Sequence, residues 1–197
     1  MAEKFFVFSG KGGVGKSSVT AAISESLVKM GKKVLCIDAD IGFRSLDLIL
    51  NVGNQVVYNW IDLIEDRCDK DKAILKTENL PDLLASPNEP SSSITFESFK
   101  KMIDSVEESY DYIFIDCPPL EIVADASIIN SNCDITIFVI RSGFLDKSIL
   151  PNIEKFYVEK RYKNMMVVLN GIDTSSTGYG YGYGYGYGYG YGYGNEK

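Results

Sequence analysis

The ten residues "SGKGGVGKSS" (9–18) constrain this chain more than any average over it. They follow the apolar run "KFFVF" (4–8) and open a stretch of helical length (15–30). Gly10, Gly12, Gly13 and Gly15, closed by Lys16 and Ser17, satisfy the pattern GxxxxGK[ST]. Glycines let successive backbone N–H groups turn toward one point, and a helix start adds its positive dipole end there. A strand, loop and helix in this order therefore predict a cradle for the phosphates of a nucleotide. Gly10, Lys11, Gly12, Gly13, Val14, Gly15, Lys16, Ser17 and Ser18 are the candidate binding loop. Lys16 is expected at the β and γ phosphates and the Ser17 hydroxyl on Mg²⁺, which makes ATP and Mg²⁺ the expected ligands.

The rest of the chain continues the alternation. The runs "KVLCID" (33–38), "DLLAS" (82–86), "YIFID" (112–116), "ITIFVI" (135–140) and "MMVVLN" (165–170) are short and apolar on both faces, as buried parallel strands are. Between them, 15–30, part of 58–75, 95–109 and 148–161 read as amphipathic helices. Pro151 falls in the first turn of the last, where its missing N–H costs little, and Thr95 is a candidate N-cap after the Pro/Ser-rich surface loop 86–95. This pattern predicts an α/β fold, a doubly wound and mostly parallel sheet with helices on both faces, with its ligand beyond the carboxyl ends of the strands. From Thr174 composition changes abruptly, so a domain over 1–173 and a flexible tail over 174–197 are expected.

Charge and composition narrow the function. A net charge of −7 without a basic run argues against a nucleic-acid or anionic-membrane surface, and no partner of the first kind is expected. No run of about 18 apolar residues and no signal-peptide pattern is present, so the chain reads as cytoplasmic. Cys36, Cys68, Cys117 and Cys133 lack CxxC spacing and read as free thiols rather than a zinc or redox site. Histidine is absent, so catalysis falls to carboxylates, lysines and a bound metal.

Three carboxylates emerge at the right end of the sheet. Asp38 and Asp40 follow the second strand, and two acids one residue apart can serve one metal and its waters, or one metal and one nucleophile. Asp116 ends the strand "YDYIFID" before Pro118 and Pro119, the place of an acid that holds Mg²⁺ directly or through water.

Two resemblances divide the sequence. "KGGVGKS", "DADIGFRSLDL", "RSLDLILNV" and "VVYNWIDLIE" resemble the MinD/ParA group of ATPases, whose phosphate loop carries an extra lysine. That resemblance implies that Lys11 reaches across a dimer to the partner's phosphates, Asp38 acts in metal-linked electrostatics, and Asp40 orients the attacking oxygen or accepts its proton. It further places Asn170 where an amide reads the adenine edge, with a turn-forming Asn before Gly171 as the alternative. From "DYIFIDCPPLEIVADASII" through "FVIRSGFLDKSILPNIEKFYVEKRYKNMMVVLNG" the wording is similar to the catalytic domain of bacterial tyrosine kinases, particularly those ending in alternating tyrosine and glycine. Those kinases usually lack the second lysine and carry a helical arginine motif before the loop. MinD continues past its last strand to a membrane-binding amphipathic helix. Neither feature appears here.

The tail alternates Gly and Tyr from 178 to 194, placing tyrosines at Tyr179, Tyr181, Tyr183, Tyr185, Tyr187, Tyr189, Tyr191 and Tyr193. As a coil it spans about 20 to 25 Å, enough to reach a catalytic site of its own or of a neighbour across a domain of radius of gyration near ~16 Å. Phosphorylation of all eight would add roughly −12 to −16 charges. The favoured expectation is an ATP-dependent tyrosine autokinase that modifies this cluster, linked by resemblance to capsule or exopolysaccharide export and to a membrane-protein activator at the inner face of the plasma membrane. The alternative is a MinD/ParA-like ATPase switch that dimerises on ATP. Both require self-association, as a dimer or as a ring.

Overall fold

The computed structural model describes residues 1–119, 133–144 and 146–173. The expected phosphoacceptor tyrosines, Tyr179 to Tyr193, lie outside the described residues. Among the described residues, seven strands run β1 Glu3–Phe8, β2 Val34–Asp38, β3 Ile74–Leu75, β4 Asp82–Leu84, β5 Tyr112–Asp116, β6 Ile135–Arg141 and β7 Met165–Asn170. They form one sheet in the order β3-β4-β2-β5-β1-β6-β7. Every neighbouring pair is parallel except β3 with β4. The doubly wound, mostly parallel sheet expected from the sequence is the one observed.

Alternation along the central strands produces two cores. Phe6, Phe8, Leu35, Ile37, Ile113, Ile115 and Phe138 point to one face, whereas Val7, Val34, Cys36, Phe114, Ile137 and Val139 point to the other. Helices α1 (Lys16–Lys29) and α2 (Ser45–Ile49) cover the second face through Ala21 and Leu46. Helices α3 (Trp60–Ile64), α5 (Phe96–Val106) and α6 (Leu150–Val158) cover the first, and α4 (Lys70–Ala73) leads into β3. Cys36, Cys117 and Cys133 are buried within these cores.

Several expected boundaries are corrected. The helical pattern over 58–75 divides into α3 and α4 because Asp66 adopts a left-handed φ of 55°, which ends the first helix. The strand expected over 82–86 stops at Leu84, and β3 pairs with it in the antiparallel sense. Helix α6 is shorter than 148–161: a 3-10 turn over Lys147–Ile149 precedes it, and Lys160 follows it with φ 50°. Helix α5 begins as expected, with Thr95 as N-cap, its Oγ1 accepting from Ser98 N at 3.1 Å while Ser98 Oγ accepts from Thr95 N at 2.9 Å.

One packing element fixes the edge where the site lies. Trp60 is buried against Phe99 with ring centroids 5.5 Å apart, and its Nε1–H donates to the Asp38 carbonyl at 2.9 Å. Burying such a side chain contributes about 1.5 to 3 kcal/mol. It also ties the end of β2 to α3, so Asp38 is held at a defined height.

Candidate nucleotide site

The loop after β1 is shaped by its own backbone. Ser9 is fully buried and its hydroxyl donates to the Lys11 carbonyl at 2.6 Å, closing the first turn. Gly13 and Gly15 take φ of 73° and 92°, the left-handed region that a side chain disfavours. Helix α1 then starts at Lys16 with no capping side chain and no acid in its first turn. Its leading N–H groups and positive dipole end are therefore directed to an anion rather than to a protein carboxylate.

This loop walls a cleft of about 690 Å³ at the carboxyl end of the sheet. Gly12, Gly13, Val14, Gly15, Lys16, Ser17 and Ser18 line it, with Asp40 and Phe43 on one side and Arg141 and Asn170 on the other. Gly10 is set back against Phe138, where an added Cβ would make ordinary contact at 3.8 Å from Cζ. Lys16 is 6% exposed. Lys11 is exposed and reaches away, its ammonium 5.8 Å from the centroid of the Phe144 ring.

Register brings the acids together. Asp38 and Asp116 are paired residues at the ends of β2 and β5, and Asp116 also pairs with Val7 at the end of β1. Asp116 is fully buried, and neither of its carboxylate oxygens has a hydrogen-bond partner. Burial pushes its carboxyl up to about 7. The Ser17 hydroxyl and the Lys16 charge oppose that rise.

Asp38 is differently engaged. Its Oδ1 accepts from Asp40 N and its Oδ2 from Leu46 N, both at 3.0 Å. The carboxylate clips down the loop between β2 and α2, and burial outweighs these bonds to raise it to about 6. Each of its oxygens keeps a second lone pair beside the N–H it accepts, and the bond from Asp40 N holds Asp40 in place. Asp40 is half-buried in the cleft wall; desolvation raises its carboxyl and the charge of Lys16 lowers it. It is the described acid that faces the cleft.

The donor set fits Mg²⁺ at Asp116 and Ser17. A buried carboxylate with two unpartnered oxygens is costly unless a cation or donor meets it, and Mg²⁺ takes oxygen ligands while keeping several waters. Among the described residues no group of three acidic, Cys or His side chains could enclose an ion. The phosphates and water would thus complete the shell.

Arg141 carries a role that sequence reasoning missed. Lying at the end of β6, it lines the cleft and donates from Nη1 to the Gly13 carbonyl at 3.3 Å. Its sequence signal, an Arg directly after an apolar strand run, is too common to single out. Asn170, at the end of β7, donates from Nδ2 to the Val14 carbonyl at 3.0 Å and accepts at Oδ1 from Gly171 N at 2.8 Å.

A family model described as an AAA domain matches residues 3–157. The chain belongs to that AAA-domain family. Within it, the chain is similar to the septum site-determining protein MinD of Synechocystis, 44% identical over 115 residues that span 57% of this chain and 43% of that protein. The chain thus spans less than half the length of this curated relative. Among solved structures, the MinD cell division protein of Aquifex aeolicus is 36% identical with a TM-score of 0.70, over 87% of this chain and 70% of the other. MinD of Pyrococcus horikoshii, solved with Mg-ADP, is 26% identical with a TM-score of 0.71, over 86% and 70%. The kinase domain of the Escherichia coli tyrosine kinase ETK, 20% identical with a TM-score of 0.73 over 92% and 72%, shares the fold.

Proposed function

We propose that the chain is a MinD-like nucleotide switch: it binds Mg-ATP in the cleft, hydrolyses it, and associates with a second copy while ATP is bound. The observation that carries this reading is the pairing of a buried Lys16 and an unpartnered Asp116 beneath the phosphate loop with a Lys11 directed out of its own cleft. The Mg-ADP bound by the Pyrococcus relative supports ATP and Mg²⁺ as ligands. The bound Mg²⁺ would neutralise charge developing on the phosphates.

The chain's own groups divide the remaining work. Gly12 to Ser18 bind the phosphates through backbone N–H groups, Lys16 adds its charge at the β and γ positions, and Ser17 and Asp116 hold the cation's site. Asp38 holds Asp40, and Asp40 orients a water or accepts its proton. Residues 1–173 form the switch domain, and 174–197 a tail appended to it. Lys11 serves the partner's site. No helix among the described residues is long and apolar enough to cross a membrane.

Phosphate release and ATP-dependent dimerisation, measured together, test this reading. Lys16→Ala is expected to abolish both, and a wild-type chain that stays monomeric with a non-hydrolysable ATP analogue would sink it. The MinD likeness supports the switch more strongly than it supports a kinase. A second reading, tyrosine autokinase, draws on the eight tail tyrosines. Intact-mass spectrometry after incubation with Mg-ATP separates the two: added multiples of one phosphate, lost on truncation before Gly178, identify the kinase.

A further inference from the structure

The two edges of the sheet are built differently. At one edge β3 has two residues, with Lys72 before it and Lys76 directly after it. Short strands and lysines are how sheet edges avoid pairing with another chain. At the other edge β7 has six residues, MMVVLN, without a charge, a proline or a glycine. Met166, Val167 and Leu169 are exposed. The Asn170 carbonyl accepts from Ser142 N and so faces β6. Backbone groups alternate in direction along a strand, so the N–H and C=O groups of Val167 and Leu169 face outward, and among the described residues no strand pairs with them.

Beside this edge lies an apolar groove of about 540 Å³ between α6 and β7. Leu150, Ile153 and Tyr157 line it from the helix, and Met165 and Val167 from the strand. Met165 and Val167 share one side of β7 with Leu169, while Met166 and Val168 take the other. Lys147 and Glu154 also line the groove, so an occupant with an apolar body and a polar tip fits it.

The sequence that follows β7 has this chemistry. Residues 171–178 supply a connection, and from Gly178 to Gly194 tyrosine alternates with glycine. In an extended chain that alternation puts every ring on one side and leaves the other bare. Glycine weakens a strand that stands alone, but an open edge supplies the backbone partners it lacks. Eight extended residues cover roughly 25 Å, several times the strand spacing of about 4.8 Å, so the chain has length to reverse and return along β7. We propose that the first tail tyrosines, Tyr179, Tyr181 and Tyr183, dock on this edge as a strand antiparallel to β7, with their rings in the groove beside Leu169, Val167 and Met165. Antiparallel pairing carries the rings from the cleft end of the sheet toward its amino end, away from the nucleotide site. The docked tyrosines are thereby kept out of their own cleft, whether the chain is a switch or a kinase.

Backbone hydrogen exchange of the full chain, followed by NMR at low protein concentration without nucleotide, tests it beside a full chain carrying Tyr179→Ser, Tyr181→Ser and Tyr183→Ser. The amides of Val167 and Leu169 are expected to exchange roughly 10-fold more slowly in wild type than in the triple variant. Those of Val168 and Asn170, which face β6, should match in both proteins and report an intact sheet. Ring-to-methyl contacts from the tail to Met165 are expected, and the same contacts to Met166 instead would put the rings on the other side and overturn the groove. Equal exchange of Val167 and Leu169 in the two proteins would overturn docking altogether. Protection that rises with protein concentration would assign the edge to a second copy and overturn it as well.

Discussion

At the scale of the residue, the buried acids beneath the loop set the cost of the site. Asp116 has no hydrogen-bond partner and is raised to about 7, while Asp38, raised to about 6, is satisfied by two N–H donors. A carboxyl raised by burial keeps its proton in the folded state at a pH where the unfolded chain has released it. Folding stability from such groups is therefore present at low pH and declines as pH rises from about 4 to about 7. The melting temperature of the ligand-free protein is expected to fall across that window. Asp116→Asn is expected to flatten the slope and raise stability near neutral pH while eliminating turnover, because a neutral amide avoids the desolvated charge and serves the cation poorly. Parallel melting curves for the two proteins from pH 5 to 7.5 would refute this. That Asp116 ends β5 as a buried acid was legible from an apolar strand ending in an acid. The clip made by Asp38 was not, because its partners are backbone N–H groups up to eight residues away and leave no trace in residue type.

Among the elements, strands and loop were the legible parts, because their signals are contiguous. Helix α2 and strand β3 escaped notice because five and two residues are too short to display a period. The break between α3 and α4 turns on one left-handed residue, Asp66, in an otherwise helical run. Arg141 and Asn170 lie 29 residues apart in sequence (170 minus 141) and meet the loop only because β6 and β7 end side by side. Two helix starts then make contrasting predictions. Thr95→Ala removes the cap of α5, away from the cleft, and is expected to cost about 1 kcal/mol in denaturant unfolding with nucleotide affinity unchanged. Gly15→Ala puts a Cβ into a residue with φ of 92° and against Asn170. It is expected to cost about 1 to 3 kcal/mol and to remove nucleotide binding, since the start of α1 must move. Equal loss of binding in both variants would mean that stability, not loop shape, limits the site.

For the whole molecule, the direction of Lys11 separates a self-sufficient site from a shared one. Lys11 sits in the phosphate loop yet extends toward exposed Phe144. A chain that uses it within its own cleft must swing it back; a chain that uses it across an interface need not. In a symmetric dimer each site would combine its own Asp40 with the partner's Lys11, so damage to the two residues complements when placed in different subunits. Lys11→Ala and Asp40→Asn are each expected to show little phosphate release alone. Mixed in equal amounts, half the dimers are heterodimers, and one of their two sites keeps both residues. Release is then expected to recover to about a quarter of the wild-type rate per chain. Recovery should require ATP-dependent association and fail below the concentration at which dimers form. A mixture no more active than its components would place Lys11 in its own site and make each cleft complete by itself. In that case the acids and the loop would suffice for turnover within one chain, and ATP-driven pairing would have to be carried by surfaces other than Lys11.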